Sequence, residues 1–357
     1  MKFAILGDTH FGMRGDSLDF HNYSQKFYGD FFKYLSDNGI YTIIQLGDLF
    51  DRRKFINFNS LYLCRKYFFD RLEELDIDMI TLLGNHDIAF KNTLEVNSSQ
   101  LLLNEYKHVR VIDAFSTIDP TGDGVLVDIV PWICDENREE IFNQIKQSKS
   151  QICFGHFEVS GFEMDRGSVC HDGIDRKSLS KYDMVITGHF HHRSDDGHIY
   201  YVGTPGEMTW ADYNDPRGFH TFDLKTRELE FIQNPYRMFH KVIYDDSKED
   251  FEFWKKYDYD ALKETYVKVV VLNKQNPYLF DTVLDNLYKS GASDISIVED
   301  FSDNLVEIDQ EIVDQAEDTM TILSHFIDNS QLNVETDKLK TLMRELYVEA
   351  LNTEKAE

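Results

Sequence analysis

Residues 42–51 read TIIQLGDLFD: an apolar, β-branched run that stops at Gly47 and then offers the carboxylates of Asp48 and Asp51. A short apolar run closed by glycine predicts a strand feeding a sharp loop at a sheet edge. The pattern occurs four more times. KFAILGDTH (2–10) ends in Asp8 and His10, DMITLLGNHD (78–87) in Asn85, His86 and Asp87, QICFGHF (151–157) in His156, and DMVITGHFHH (183–192) in His189 and His191. Helical spacing near 21–38 and 58–75 separates the first three runs, which reads as α/β layering. The later runs VLVDIVPW (125–132), QICFGHF, DMVITGHFHH, HIYYVGTP (198–205) and GFHTFDL (218–224) have fewer long helices between them and suit a second sheet packed on the first. The expected fold class is α/β, or α+β in layer terms: a two-sheet β-sandwich flanked by helices, over residues 1–237.

Around residue 238 the character changes. HKVIYDD (240–246), TYVKVVVLN (265–273), LFDTVLDNLYKSGA (279–292) and DISIVED (294–300) predict a small αβ unit over 238–300, its helix ending at Gly291. Residues 299–318 hold nine acids and no Lys or Arg, which reads as a solvated linker or the exposed side of a helix. Within 301–357, Ile312, Ala316, Met320, Leu323 and Ile327, then Leu339, Leu342, Met343, Leu346, Tyr347 and Ala350, fall at helical spacing. These two amphipathic helices pack on their own domain or enter a groove of another protein.

The chain of 357 residues, 42% hydrophobic and 14% aromatic, is long enough for two or three units with a large core. It has no uninterrupted apolar run of about 18 residues, and its first residues do not form a signal peptide, so a cytoplasmic protein without membrane attachment is expected. Cys64, Cys134, Cys153 and Cys170 are widely spaced with no CxxC pair, which predicts reduced thiols. The net charge of −27 opposes simple nucleic-acid binding. Much of the acid, however, lies late: residues 244–357 hold 27 acids against 11 bases. Carboxylates that hold cations are neutralised, and Arg52, Arg53 and Lys54 can make one cleft locally basic.

Singly, each DxH or HxH piece is weak. Five in order, each at a strand end, bring imidazole, carboxylate and amide oxygen to one edge, where open α/β folds bind ligands. Such donors suit manganese, iron or zinc better than calcium. Asp48 can bridge two cations, one completed by Asp8, His10 and His191, the other by Asn85, His156 and His189. A pair of divalent cations lowers the pKa of a shared water, orients phosphorus for in-line attack and offsets transition-state charge. His86, beside Asn85, is then the candidate general acid, with Asp51 either orienting it through its carboxylate or capping the loop.

The five blocks resemble the calcineurin-like metallophosphoesterase superfamily, whose pattern is DxH, GDxxD, GNH(D/E), GH and GHxH. Within it, Pro131-Trp132, Tyr201–Pro205 and Asn214–Phe219 look like the SbcD-type DNA-repair nucleases, especially the nuclease subunits of T-even phage recombination complexes. The resemblance implies a two-metal DNA nuclease using Mn2+, with Mg2+ as substitute, acting 3′ to 5′ on duplex ends and as an endonuclease on single strands. It also implies an SMC-like coiled-coil ATPase bound through the terminal helices, a capping role for 238–300, and a homodimer formed through helices near 58–75 and 92–106. Asp51 stands where cellular members commonly carry histidine, which keeps a phosphomonoesterase reading open beside the nuclease. A non-catalytic scaffold is the third reading.

Overall fold

The computed structural model describes residues 2–165 and 168–299; the terminal helices expected within 301–357 lie outside the described residues. The strand Lys2–Leu6 is fully buried beyond its first residue and pairs in parallel with Thr42–Gln45, which pairs in parallel with Asp78–Leu82, followed by Val109–Ile112. On its other side it meets Gly218–Asp223 antiparallel, and Glu228–Gln233 closes that edge. GFHTFDL, expected in the second sheet, therefore belongs to the first. The second six-stranded sheet runs Ser194–Asp195, Ile199–Tyr201, Met184–Gly188, Ile152–His156, Val127–Val130, Ser116–Ile118. Its central strands Ile152–His156 and Met184–Gly188 are parallel.

Alternation decides how the sheets pack. Phe3, Ile5, Ile44 and Leu82 point one way and meet Ile129, Phe154 and Ile186 of the second sheet, making the core between the sheets. Ala4, Leu6, Ile43 and Met79 point the other way onto Leu18–Asp37 and Phe58–Glu74. Leu18–Asp37 buries Phe20, Phe27, Phe31 and Leu35 among others at three-to-four-residue spacing, each buried Phe contributing about 1.5–3 kcal/mol. Near its middle the second helix takes a π-helical turn at Arg65–Phe69, whose extra residue lets Tyr67, Phe68 and Phe69 all be buried in succession. The outer face of the second sheet is covered by Arg138–Gln147. The two-sheet sandwich flanked by helices is the architecture expected.

A third, all-parallel sheet, Phe239–Asp245, Tyr266–Asn273 and Asp294–Glu299, is covered on one face by Phe251–Lys256 and Pro277–Lys289. It encloses a separate core of Val242, Tyr244, Val267, Val269, Phe280 and Val283. Among the described residues no helix is long and apolar enough to cross a membrane, and all four cysteines are free and buried.

Candidate metal centre

All five sequence blocks leave the carboxyl ends of parallel strands, three from the first sheet and two from the second, so their loops meet over the seam between the sheets. Short bonds fix the loops to one another. Thr9 and His10 donate their backbone N–H to the Asp48 carbonyl (3.1 and 3.0 Å). The His86 N–H donates to Asp48 Oδ1 (2.7 Å), and the His189 N–H donates to the Asp8 carboxylate (3.0 Å to Oδ1). His10, Asp48 and His189 have positive φ of 43°, 53° and 86°, costly backbone for side chains of their size. Gly47 makes the turn expected of it, with φ +91°, whereas Gly84 and Gly188 serve as clearance. A Cβ on Gly84 would sit 2.1 Å from Asp48 Oδ1, and one on Gly188 would sit 2.5 Å from Asp8 Oδ1.

The side chains form two groups. Asp8, His10 and His191 bring one donor atom each within 4.8 Å of one another, and Asp48, His156 and His189 do the same. Asp48 Oδ2 lies 3.9 Å from His10 Nε2 and 3.4 Å from His156 Nε2, so it stands between the groups. Asn85 completes the second, its amide end 3.0 Å from His156 Nε2 and 2.9 Å from His189 Nδ1.

Divalent cations fit these residues on three counts. Both ring nitrogens of His10 are buried without a hydrogen-bond partner, and a metal bond would satisfy Nε2, the one that faces Asp8 and Asp48. His156 donates Nδ1–H to the Leu46 carbonyl (2.6 Å), which leaves Nε2 as the ring atom facing Asp48 and Asn85, a lone pair once a cation displaces its proton. With its oxygen inward, Asn85 adds a third lone pair to those of His156 and His189. With its nitrogen inward it instead donates to both rings and to Asp48 Oδ2 (3.2 Å), the arrangement for the protein alone.

The electrostatics agree with this. Burial pushes Asp8 well above the usual carboxylate range, further than His156 offsets. Burial would raise Asp48 too, but His156 and His10 hold it below that range. Burial alone would lower His156, yet the Asp48 and Asp8 carboxylates lift it to about 9. Burial, helped by the neighbouring histidines, keeps His10 well below its ordinary value and lowers His189 to about 3. Asp48 and His156 thus hold each other in the charged form, and the neutral imidazoles of His10 and His189 keep lone pairs to offer a cation.

His86 lies beside the groups, its ring edge-on to His10 at 4.8 Å between centroids. Its Nδ1 donates to the backbone carbonyl of Asp51 (2.6 Å), not to the carboxylate expected from the sequence. The Asp51 carboxylate instead approaches His10 Nδ1 at 3.6 Å, and burial raises its pKa. Of the basic trio, Arg53 reaches the centre, its Nη2 being 3.1 Å from the outer end of the Asn85 amide. Arg52 is engaged by Asp16 (3.2 Å) and the Phe55 ring, and Lys54 is exposed.

Asp87 received no role from the sequence, although it closes the GNHD block. Its buried carboxylate accepts the N–H groups of Asp48 (2.8 Å), Leu49 (3.0 Å) and Gly84 (2.8 Å), clamping the second and third loops together. Trp132 packs its indole against His156 and His189, with centroids 5.8 and 5.1 Å apart.

Several known proteins resemble the chain. It is 34% identical over 353 residues to exonuclease subunit 1 of Enterobacteria phage T4, covering 98% of this chain and 99% of that protein. It is 23% identical over 236 residues to a subunit of the nuclease SbcCD of Staphylococcus epidermidis, covering 58% of each. Among solved structures, the anchor in the inner membrane complex of Plasmodium superposes with a TM-score of 0.39 at 14% identity, covering 66% of this chain and 90% of that one. The family model for calcineurin-like phosphoesterases matches residues 1–193. The chain belongs to the calcineurin-like phosphoesterase family.

Proposed function

We propose that this protein is the nuclease subunit of a DNA recombination or repair complex, hydrolysing phosphodiester bonds 3′ to 5′ on duplex ends and endonucleolytically on single strands. The observation that carries the reading is the pair of donor groups sharing Asp48 beside a histidine that belongs to neither, in a chain alike over nearly its whole length to a protein named an exonuclease subunit.

Two divalent cations, manganese with magnesium as substitute, supply water activation and phosphate neutralisation when bound. Asp8, His10 and His191 would hold one, Asn85, His156 and His189 the other, and Asp48 would serve both. Arg53 meets the phosphate backbone from the rim, with Lys54 and Arg52 further out. His86 gives a proton from Nε2 to the leaving oxygen, while its Nδ1–H stays on the Asp51 carbonyl, so the ring does not turn during transfer. Asp51 thus acts on His86 through its backbone.

Residues 1–237 form the nuclease domain, 238–300 a unit capping the DNA, and 301–357 the segment that binds a coiled-coil SMC-like ATPase. Both relatives are named as subunits, and an acidic tail suits a basic partner surface. Exposed Phe58 and Leu101, 87% and 73% accessible, lie on the two helices expected to pair two copies of the chain. The deciding variants are Asp8→Ala and His189→Ala: each is expected to abolish manganese-dependent DNA cleavage, and unchanged turnover would remove these residues from the centre.

A further inference from the structure

Among the described residues, Arg217 is the one Arg or Lys that is buried, at 5% exposure. It belongs to the Asn214–Phe219 stretch, to which the proposed chemistry gives no task. Burying a guanidinium is costly unless its donors are used in good geometry; here both Nη atoms are engaged and Nε is not, so the pairing is weak evidence for stability in itself. What Arg217 touches is therefore informative.

Its Nη2 pairs with Asp212 and, at 2.8 Å, with Asp215; both carboxylates are buried. Its Nη1 donates to the backbone carbonyl of His191 and to Thr204 Oγ1 (3.2 Å). The His191 carbonyl also accepts the Thr204 N–H (3.2 Å), and the next residue, His192, holds Asp215 Oδ2 through Nδ1 (2.8 Å). Asp212 in turn accepts the N–H groups of Met208 and Thr209 (2.6 and 2.9 Å), which roots the cluster in the 204–217 loop. Arg217 and Thr204 thus meet on the His191 carbonyl, Asp215 links Arg217 to the His192 ring, and Asp212 holds Arg217 in place.

His191 needs such an anchor. Its side chain is 29% exposed, against 2% or less for Asp8, His10, Asp48 and His156. Those groups are walled in by the two sheets. His191 stands beyond the end of Met184–Gly188, in the HFHH loop that passes over the rim. We infer that Arg217, with Asp212 and Asp215, is a positioning residue for the donor group Asp8, His10 and His191, holding the His191 backbone where its Nε2 faces Asp8 Oδ2 at 3.9 Å. The second group, Asn85, His156 and His189, does not depend on it. This rests on the metal-centre reading above.

The test is manganese binding to the full chain, followed by electron paramagnetic resonance and calorimetry, for wild type, Arg217→Lys and Arg217→Gln. Outer contacts of metal ligands typically set affinity by about 10–100-fold. Arg217→Gln is expected to weaken one of two manganese sites by that factor, leaving the other within about threefold and removing the signal of the coupled ion pair. Arg217→Lys, which keeps the charge but cannot reach both the His191 carbonyl and the carboxylates, is expected to fall between and decides the matter if Arg217→Gln does not fold. Equal weakening of both sites, or unchanged binding in Arg217→Lys, would overturn the assignment. Wild-type chain that binds two manganese ions yet leaves DNA intact would fail the nuclease reading while leaving this one standing.

Discussion

Asp87→Ala removes the clamp between two of the five loops, and its cost can be worked from the bonds it breaks. The carboxylate serves three backbone N–H groups at 2.8–3.0 Å, all in buried surroundings. Leaving a buried donor unsatisfied costs about 1–3 kcal/mol each. The carboxylate's own burial, beside the charge of Asp48, is unfavourable and raises its pKa to about 7, which offsets part of the loss. A net destabilisation of roughly 3–5 kcal/mol follows. Asp87→Asn keeps an oxygen for two of the donors and turns an NH2 group on the third, so about 1–2 kcal/mol is expected. Urea unfolding followed by circular dichroism measures both, and manganese titration should show the Ala variant binding more weakly, because Asp48 and the Gly84–Asn85 turn lose their shared anchor. An Asp87→Ala protein within about 0.5 kcal/mol of wild type and with undiminished metal affinity would refute the clamp.

His86→Asn is expected to retain manganese and DNA binding while losing nearly all cleavage, read by calorimetry beside a gel assay; lost metal would make His86 structural. Gly84→Ala places a Cβ 2.1 Å from Asp48 Oδ1 and should abolish the coupled manganese signal, whereas near-normal binding would show that the loop yields. Glu207 accepts the Met238 and Phe239 N–H groups (2.6 and 3.0 Å), and burial raises its pKa from 4.5 to about 6. A raised carboxyl pKa means the folded state holds the proton more tightly, so stability is lost as pH rises from 4.5 through 6, by about 2 kcal/mol. Unfolding at pH 4.5 and 7 should show that loss in wild type and not in Glu207→Gln; parallel profiles would mean another group is responsible.

The five motif loops were legible because strand, glycine and donor follow one another in sequence, and the fold leaves such loops at one sheet edge. The strands and the long helix of the third sheet were legible from their periods alone: the helix expected to end at Gly291 runs Pro277–Lys289, with Gly291 at φ +80°. Sheet membership was not. GFHTFDL has the same alternation whichever sheet it joins, and only its pairing with the first strand, Lys2 opposite Asp223, decides. Glu228–Gln233, with charges in its short run, gave no strand signal. Asp51 misled for a different reason: residue type announces a carboxylate, whereas the atom that holds His86 is a backbone carbonyl, which any residue carries. Asp87 and Arg217 act on backbone groups far along the chain, and no local period marks such a partner. An acid directly after Asn85-His86 was the one available signal for Asp87.

The most direct measurement is incubation of the purified chain with manganese and a duplex labelled at its 3′ end, beside a phosphoserine peptide and a nucleoside monophosphate. Release of nucleotides from the duplex, with both monoesters untouched and no reaction when manganese is chelated, is the result expected. Phosphate release from a monoester with intact DNA would contradict the nuclease reading and make this family member a phosphatase.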